Sequence, residues 1–380
     1  MKIMQWFAGS ALAVLFSVPL ASGMEGATQI RMPCPMGDCS AGVSLNYIGE
    51  YSLPWDTQFD GIPFGGISGL DFDPATGHYL AISDDRSQKA PARIYELAID
   101  IQPGQIRRVD VVRTITLKDR NGQPFAAGSV DPESVRRGPN NQLYWTSEGS
   151  ARAGLPSVVR VADNNGAWVK EFSVPEGFAP TADRQSGIRD NLAFEGLAVL
   201  PSGDLIAGME TSLRQDGSIA RLTSGSLARF VRYDARSGQP TAAYTYPVSP
   251  VPQPALRSPY SNDNGVSEVV ALDDHRLLVI ERSFASGYGA TIKVFMADIA
   301  GATDVLHLSS LANTNQRITP IRKSQLIDFR AMGLVPDNIE SVALGRAADG
   351  SEVLVFASDD NFSVHQKNQF FAFKIEQRPH

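Results

Sequence analysis

Apolar and polar positions recur along this chain in five copies of one design. Each copy has a polar residue, a short strand-forming run, a turn, a second such run, and then an acid. The first copy is Ile67-Ser-Gly-Leu-Asp-Phe through Tyr79-Leu-Ala-Ile-Ser-Asp-Asp85, and the second is Glu133-Ser-Val-Arg through Leu143-Tyr-Trp-Thr-Ser-Glu148. The third is Glu195-Gly-Leu-Ala-Val-Leu through Leu205-Ile-Ala-Gly-Met-Glu210, and the fourth is Glu268-Val-Val-Ala-Leu through Leu277-Leu-Val-Ile-Glu281. The fifth is Glu340-Ser-Val-Ala-Leu through Val353-Leu-Val-Phe-Ala-Ser-Asp359-Asp360. Between the paired runs lie Pro74-Ala-Thr-Gly77, Pro139-Asn-Asn141, Pro201-Ser-Gly-Asp204, Asp273-Asp274 and Ala348-Asp-Gly350. These are residue types that hairpin turns favour.

Copies one to four each continue with two more strand-like runs, for example Arg93-Ile-Tyr-Glu-Leu-Ala and Val109-Asp-Val-Val-Arg-Thr-Ile after the first. The fifth has only Phe370-Phe-Ala-Phe-Lys-Ile, and Val43-Ser-Leu-Asn-Tyr-Ile-Gly-Glu-Tyr51 near the N-terminus can supply its missing outer strand. The pattern predicts an all-β protein: a β-propeller of four-stranded blades, closed by an N-terminal strand joining the C-terminal blade. Equivalent positions fall 62 to 73 residues apart, which leaves room for a sixth, degenerate blade in segments 173–194 or 247–265. Five blades are preferred, because the strand inventory closes without a sixth. Abundant glycine and proline without a low-complexity linker favour a single propeller domain over 43–380.

The hairpins have a chemical consequence. Antiparallel strands joined by a tight turn bring the first acid of a copy close to the second. Glu133 is expected beside Glu148, Glu195 beside Glu210, Glu268 beside Glu281, and Glu340 near Asp359 and Asp360; Ser68 stands opposite Asp84 and Asp85. With the first strand innermost, these acids ring one mouth of the channel. Crowded carboxylates disfavour their own ionised forms, and a hard divalent cation relieves that; Ca²⁺ takes 6–8 oxygen ligands. All eleven acids are therefore candidate metal ligands, with Glu195 and Glu210 also candidates for a catalytic role. The bland alternative is that the glutamates cap strand ends. Arginines follow the acids, at Arg86, Arg152, Arg214 and Arg282. They either neutralise the acids or hold a phosphate on the rim.

Composition and the N-terminus set the compartment. Lys2, an apolar stretch from Trp6 to Leu20 and the small residues Ala21-Ser-Gly23 read as a signal peptide over 1–23. Its apolar core is too short for a dependable membrane span, and an uncleaved membrane anchor is the lesser alternative. The expected location is periplasmic or secreted, and no membrane span remains after cleavage. Losing Lys2 shifts the formal net charge from −7 to −8, and an acidic chain argues against nucleic acid as the partner. Cys34 and Cys39, in an arm over 24–42, are expected to form a local disulfide in an oxidising compartment. Serine–histidine chemistry is disfavoured. There is no Gly-x-Ser-x-Gly elbow, His78 and His275 fall in far turns, His307 sits in an outer strand and His380 is terminal. Only His365 lies on the acidic side, so hydrolysis would have to use metal-activated water.

Several segments together resemble the bacterial phytase-like family, "esterase-like activity of phytase". They are Gly66-Ile-Ser-Gly-Leu-Asp-Phe with Ile82-Ser-Asp-Asp-Arg86, Asp131-Pro-Glu-Ser134, Asn191-Leu-Ala-Phe-Glu-Gly196 with Met209-Glu210, and Asn338-Ile-Glu-Ser-Val342. The resemblance covers roughly residues 60–375. It implies a propeller-type phosphoesterase-like protein with calcium as the metal; the arginines beside the acids point to a small phosphorylated anion as substrate. A calcium propeller acting on lactones or other esters, or a non-catalytic binding propeller, remains open beside that expectation.

Overall fold

The computed structural model describes residues 43–377. The signal segment 1–23, the arm 24–42 and the Cys34–Cys39 pair lie outside the described residues.

The chain opens with strand β1 (Val43–Leu53) and a small hairpin of β2 (Gln58–Phe59) and β3 (Ile62–Pro63). Blade one is β4 (Ile67–Asp73), β5 (His78–Ser83), β6 (Arg93–Gln102) and β7 (Gln105–Thr116). Blade two is β8 (Pro132–Arg137), β9 (Leu143–Ser147), β10 (Val158–Ala162) and β11 (Trp168–Glu171). Blade three is β12 (Phe194–Val199), β13 (Leu205–Met209), β14 (Ser226–Tyr233) and β15 (Pro240–Val248). Blade four is β16 (Asn262–Ala271), β17 (Arg276–Ala285), β18 (Gly289–Asp298) and β19 (Arg322–Asp328). Blade five is β20 (Asn338–Arg346), β21 (Glu352–Asp359) and β22 (Asn368–Gln377), completed by β1, which pairs antiparallel with β22 from Val43↔Gln377 to Leu53↔Asn368. The five-blade count and the closure by the N-terminal strand are both as expected. Among the described residues the long inserts form no sixth blade.

The first strand of each blade is innermost: β4, β8, β12, β16 and β20 touch in order, and β20 returns to β4. Small residues make that crowding tolerable. A Cβ on Gly69 would sit 2.6 Å from the Glu133 carbonyl oxygen, and one on Gly196 2.6 Å from the Val269 nitrogen. Successive residues of the second strands serve opposite blade faces, as the two-residue period requires. On β5, Leu80 and Ile82 pack toward blade two with Val135 and Trp145, whereas Tyr79 and Ala81 pack toward blade five with Val353 and Val355. Both faces are thus apolar, which is why these runs read as nearly continuous hydrophobic stretches.

The axis of the ring is plugged. Arg136 of β8 is buried and donates to the carbonyls of Leu70, Val269 (2.9 Å) and Val342 (3.5 Å), joining the inner strands of blades one, four and five. Its counter-ion is Glu268 at 3.0 Å. No helix among the described residues is long and apolar enough to cross a membrane.

Candidate metal centre at the acidic mouth

Each inner strand carries one extra residue near the mouth. The register with its neighbour slips between Ile67 and Gly69, Pro132 and Val135, Phe194 and Gly196, Val266 and Glu268, and Ile339 and Ser341. Such bulges re-aim a side chain. The equivalent bulge positions are Ser68, Glu133, Glu195, Ser267 and Glu340. On the second strands the equivalent positions are Asp84, Glu148, Glu210, Arg282 and Asp359, fixed by main-chain bonds such as Glu148 N to the Asp131 carbonyl at 2.8 Å and by the pairs Gly265↔Arg282 and Asn338↔Asp359.

Blade four therefore corrects the sequence expectation. Its mouth positions are Ser267 and Arg282, not Glu268 and Glu281, because a one-residue offset turns a side chain to the other face. Glu268 lies at the axis, where it accepts from the Ser134 hydroxyl at 2.9 Å and the Leu197 amide at 3.1 Å beside Arg136. Burial lifts its pKa to about 7, against the pull of the Arg136 guanidinium. Glu281 sits in the seam between blades three and four. It accepts from the Tyr246 hydroxyl at 2.9 Å and the Ser249 amide at 3.1 Å, and pairs with Lys323. The signal was in the apolar frame: Val266-Ser-Glu-Val269 aligns with Ile67-Ser-Gly-Leu70 and Ile339-Glu-Ser-Val342 only when Ser267 matches Glu340.

Two aspartates also depart from the ring. Asp85 accepts the amides of Gln88 (2.8 Å) and Ala90 (2.9 Å) and pairs with Arg93 at 2.7 Å, so it organises a loop. Asp360 accepts from the Gly66 amide at 2.9 Å and the Asn368 amide group at 3.0 Å, tying blade five to blade one. One acid was missed: Asp131, two residues before Glu133, points into the same cluster. It lies outside the repeated pattern, which in this copy opens at Glu133.

What assembles is a buried acidic floor. Asp131, Glu133 and Glu148 offer oxygens within 4.8 Å of one another, and so do Glu148, Glu195 and Glu210. Glu148 belongs to both groups. These five side chains belong to residues only 1–8 % exposed. Burial, reinforced by Glu195 and Asp131, holds Glu133 well above the usual carboxylate range; burial and Asp131 do the same for Glu148. Burial and Glu148 raise Glu195 likewise. Glu210 rises to about 8 through burial, with Arg282 opposing, and Asp84 rises to about 8 through burial together with Glu340 and Asp131. Asp359 and Glu340 are also raised by burial.

Counter-charge is scarce. Arg282 lies 3.3 Å from Glu340, 3.5 Å from Glu210 and 3.5 Å from Asp263. Arg86 holds Asp131 Oδ1 at 2.7 Å and donates to Asn191. Arg152 instead pairs with Asp190 at 2.8 Å, its side chain 80 % exposed, and Arg214 lies in the short turn Arg214–Asp216; neither lines the cavity. His365 does line it, whereas His78 is bonded to Glu96 at 2.7 Å.

The floor fits a hard cation. Asp131 Oδ2 and Glu148 Oε2 are buried without a hydrogen-bond donor, although their other oxygens are satisfied by Arg86 and the Ala193 amide. Orphaned buried oxygens facing further carboxylates are costly, and a divalent cation answers both problems at once. An all-oxygen donor set suits calcium-like ions rather than thiolate- or imidazole-seeking metals. Above the floor opens a cavity of about 1,020 Å³, lined by Asp84, Glu133, Glu195, Arg282, Glu340 and Asp359 among others.

Among curated proteins none matches this chain. An endo-1,4-beta-xylanase from Bacteroides thetaiotaomicron is similar in form, with a TM-score of 0.43 and 11 % identity over 83 % of this chain and 97 % of that one. A thermostable family-43 glycoside hydrolase gives 0.45 and 9 % over 83 % and 90 %, and a glucose dehydrogenase 0.41 and 12 % over 85 % and 98 %. These likenesses are loose and concern general form alone. The family match is of another order, running from residue 62 to 362, from blade one into the inner two strands of blade five. The chain belongs to the phytase-like family, that of the esterase-like activity of phytase.

Proposed function

We propose that this protein is an exported, calcium-dependent phosphoester hydrolase working at the acidic mouth. The observation that carries the reading is the pair of carboxylate groups sharing Glu148, with two orphaned oxygens, beneath a cavity that also holds arginine. Asp131, Glu133, Glu148, Glu195 and Glu210 would hold the ion. When bound, the ion supplies Lewis acidity toward a phosphate oxygen and makes water a better nucleophile. The protein's own groups do the rest. Arg282 and Arg86 line the cavity and suit the equatorial oxygens of a phosphate, which guanidinium binds in two-pronged fashion. Asp84 lines the same cavity and would be the proton donor to a departing alkoxide. The substrate is thus a small phosphorylated anion, and export rests on the segment 1–23.

The test is hydrolysis of p-nitrophenyl phosphate by purified protein. EDTA should abolish turnover and Ca²⁺ restore it, and Glu148→Gln should weaken calcium binding while the fold survives. Protein that binds no divalent cation would sink the proposal. Hydrolysis of lactones but not phosphate esters would assign the site to the ester alternative. Calcium binding with neither activity would make the protein a binding propeller.

A further inference from the structure

The mouth is not level. Strands β5, β9 and β13 end one residue short of their mouth position, and β21 ends on it, at Asp359. In blade four the sheet instead rises past it. β17 runs on from Arg282 to Ala285, still paired to β16 through Asp263↔Phe284 and to β18 through Phe284↔Ala290. Residues two apart on a strand share a face. Phe284 therefore stands directly above Arg282, with Asp263 and Ala290 beside it, and all four line the cavity. Tyr288, from the turn into β18, and Val335, from the link into β20, extend the same wall.

Three large apolar side chains of this wall are open: Phe284 is 40 %, Tyr288 36 % and Val335 73 % exposed. It is also braced. The Phe284 amide donates to Asp263 at 3.0 Å, and Arg330 lies over the Tyr288 ring at 4.7 Å while donating to the Ala290 carbonyl at 2.6 Å. Large apolar side chains left exposed beside convergent charged groups mark a binding surface. We propose that the wall receives a flat apolar group, about the size of a phenyl ring, attached to the anionic group held at the floor. The ligand is then an amphiphilic ester rather than a fully hydroxylated one. The anionic half of this inference rests on the proposed function; the apolar half rests on the wall.

Calorimetric titration of the calcium-loaded full chain tests it with two matched pairs, methyl- against phenylphosphonate and acetate against benzoate. Phenylphosphonate should bind about tenfold tighter than methylphosphonate, as expected for partial burial of one ring. Phe284→Ala and Val335→Ser should each cut that preference, and the double variant should erase it. Val112→Ser, at an exposed position of the outer strand β7, should keep it. Inorganic phosphate, which has no apolar part, gauges the floor in every variant. If neither phosphonate binds but benzoate still exceeds acetate, the phosphate reading fails and the wall stands. No phenyl preference in either pair, or one that persists in the double variant, overturns the wall.

Discussion

At the scale of single residues, the two glutamates of blade four separate structure from chemistry. Glu268 faces Arg136 at the axis, so Glu268→Gln leaves a buried guanidinium without its counter-ion. Losing one partner of a buried pair costs about 3 kcal/mol, which denaturant titration would register while calcium affinity holds. Glu195→Gln should do the reverse: calcium affinity falls and stability is kept. A third residue matters through what it lacks. A Cβ on Gly265 would meet the Glu210 side chain at 2.4 Å, so the glycine makes room for that carboxylate beside Arg282. Gly265→Ala should displace Glu210 and weaken calcium binding about 10- to 100-fold, the usual range for disturbed ligand support, read by a chelator-competition assay.

At the scale of elements, β1 is the clasp of the ring. It supplies the outer strand of blade five, and Val43 and Leu45 join the apolar cluster between blades four and five. A chain beginning after Leu53 would leave β22 as a bare edge. It should elute as aggregate in size-exclusion chromatography rather than as a monomer of reduced stability. This clasp was legible in the sequence, because the fifth copy lacked one strand and Val43–Tyr51 had the right alternation. Strand number and order were legible for the same reason. The register within them was carried only by the apolar frame, which the acids obscured. A bulge adds a residue without changing composition, so the acid of Val266-Ser-Glu-Val269 was matched one position too late and Arg282 was taken as a follower of the ring rather than a member. Asp131 was left out of the ring because it precedes the strand pattern. Arg152 and Arg214 were misplaced because loop conformation has no period to read.

At the scale of the whole molecule, the proposed calcium site would couple ion binding to pH through its acids. Asp84 and Glu210 are lifted to about 8, so the folded, calcium-free protein binds protons more tightly than the unfolded chain. The stability they contribute is present in full below the unfolded carboxylate range and is lost as pH rises toward 8. The melting temperature of calcium-free protein should accordingly fall between pH 5 and 8.5 by roughly 5 °C or more. Saturating calcium should flatten that slope, with its largest gain at the alkaline end and with protons released on binding. A melting temperature that rises with pH without calcium would contradict the burial of these groups. The guanidinium lodged among the inner strands has a consequence of its own. A ring blocked at its axis is a cul-de-sac, and whatever visits the floor must leave by the doorway it entered. Under the proposed hydrolysis, a spent molecule and the next arrival would share that one passage, so product added at the outset should compete with substrate.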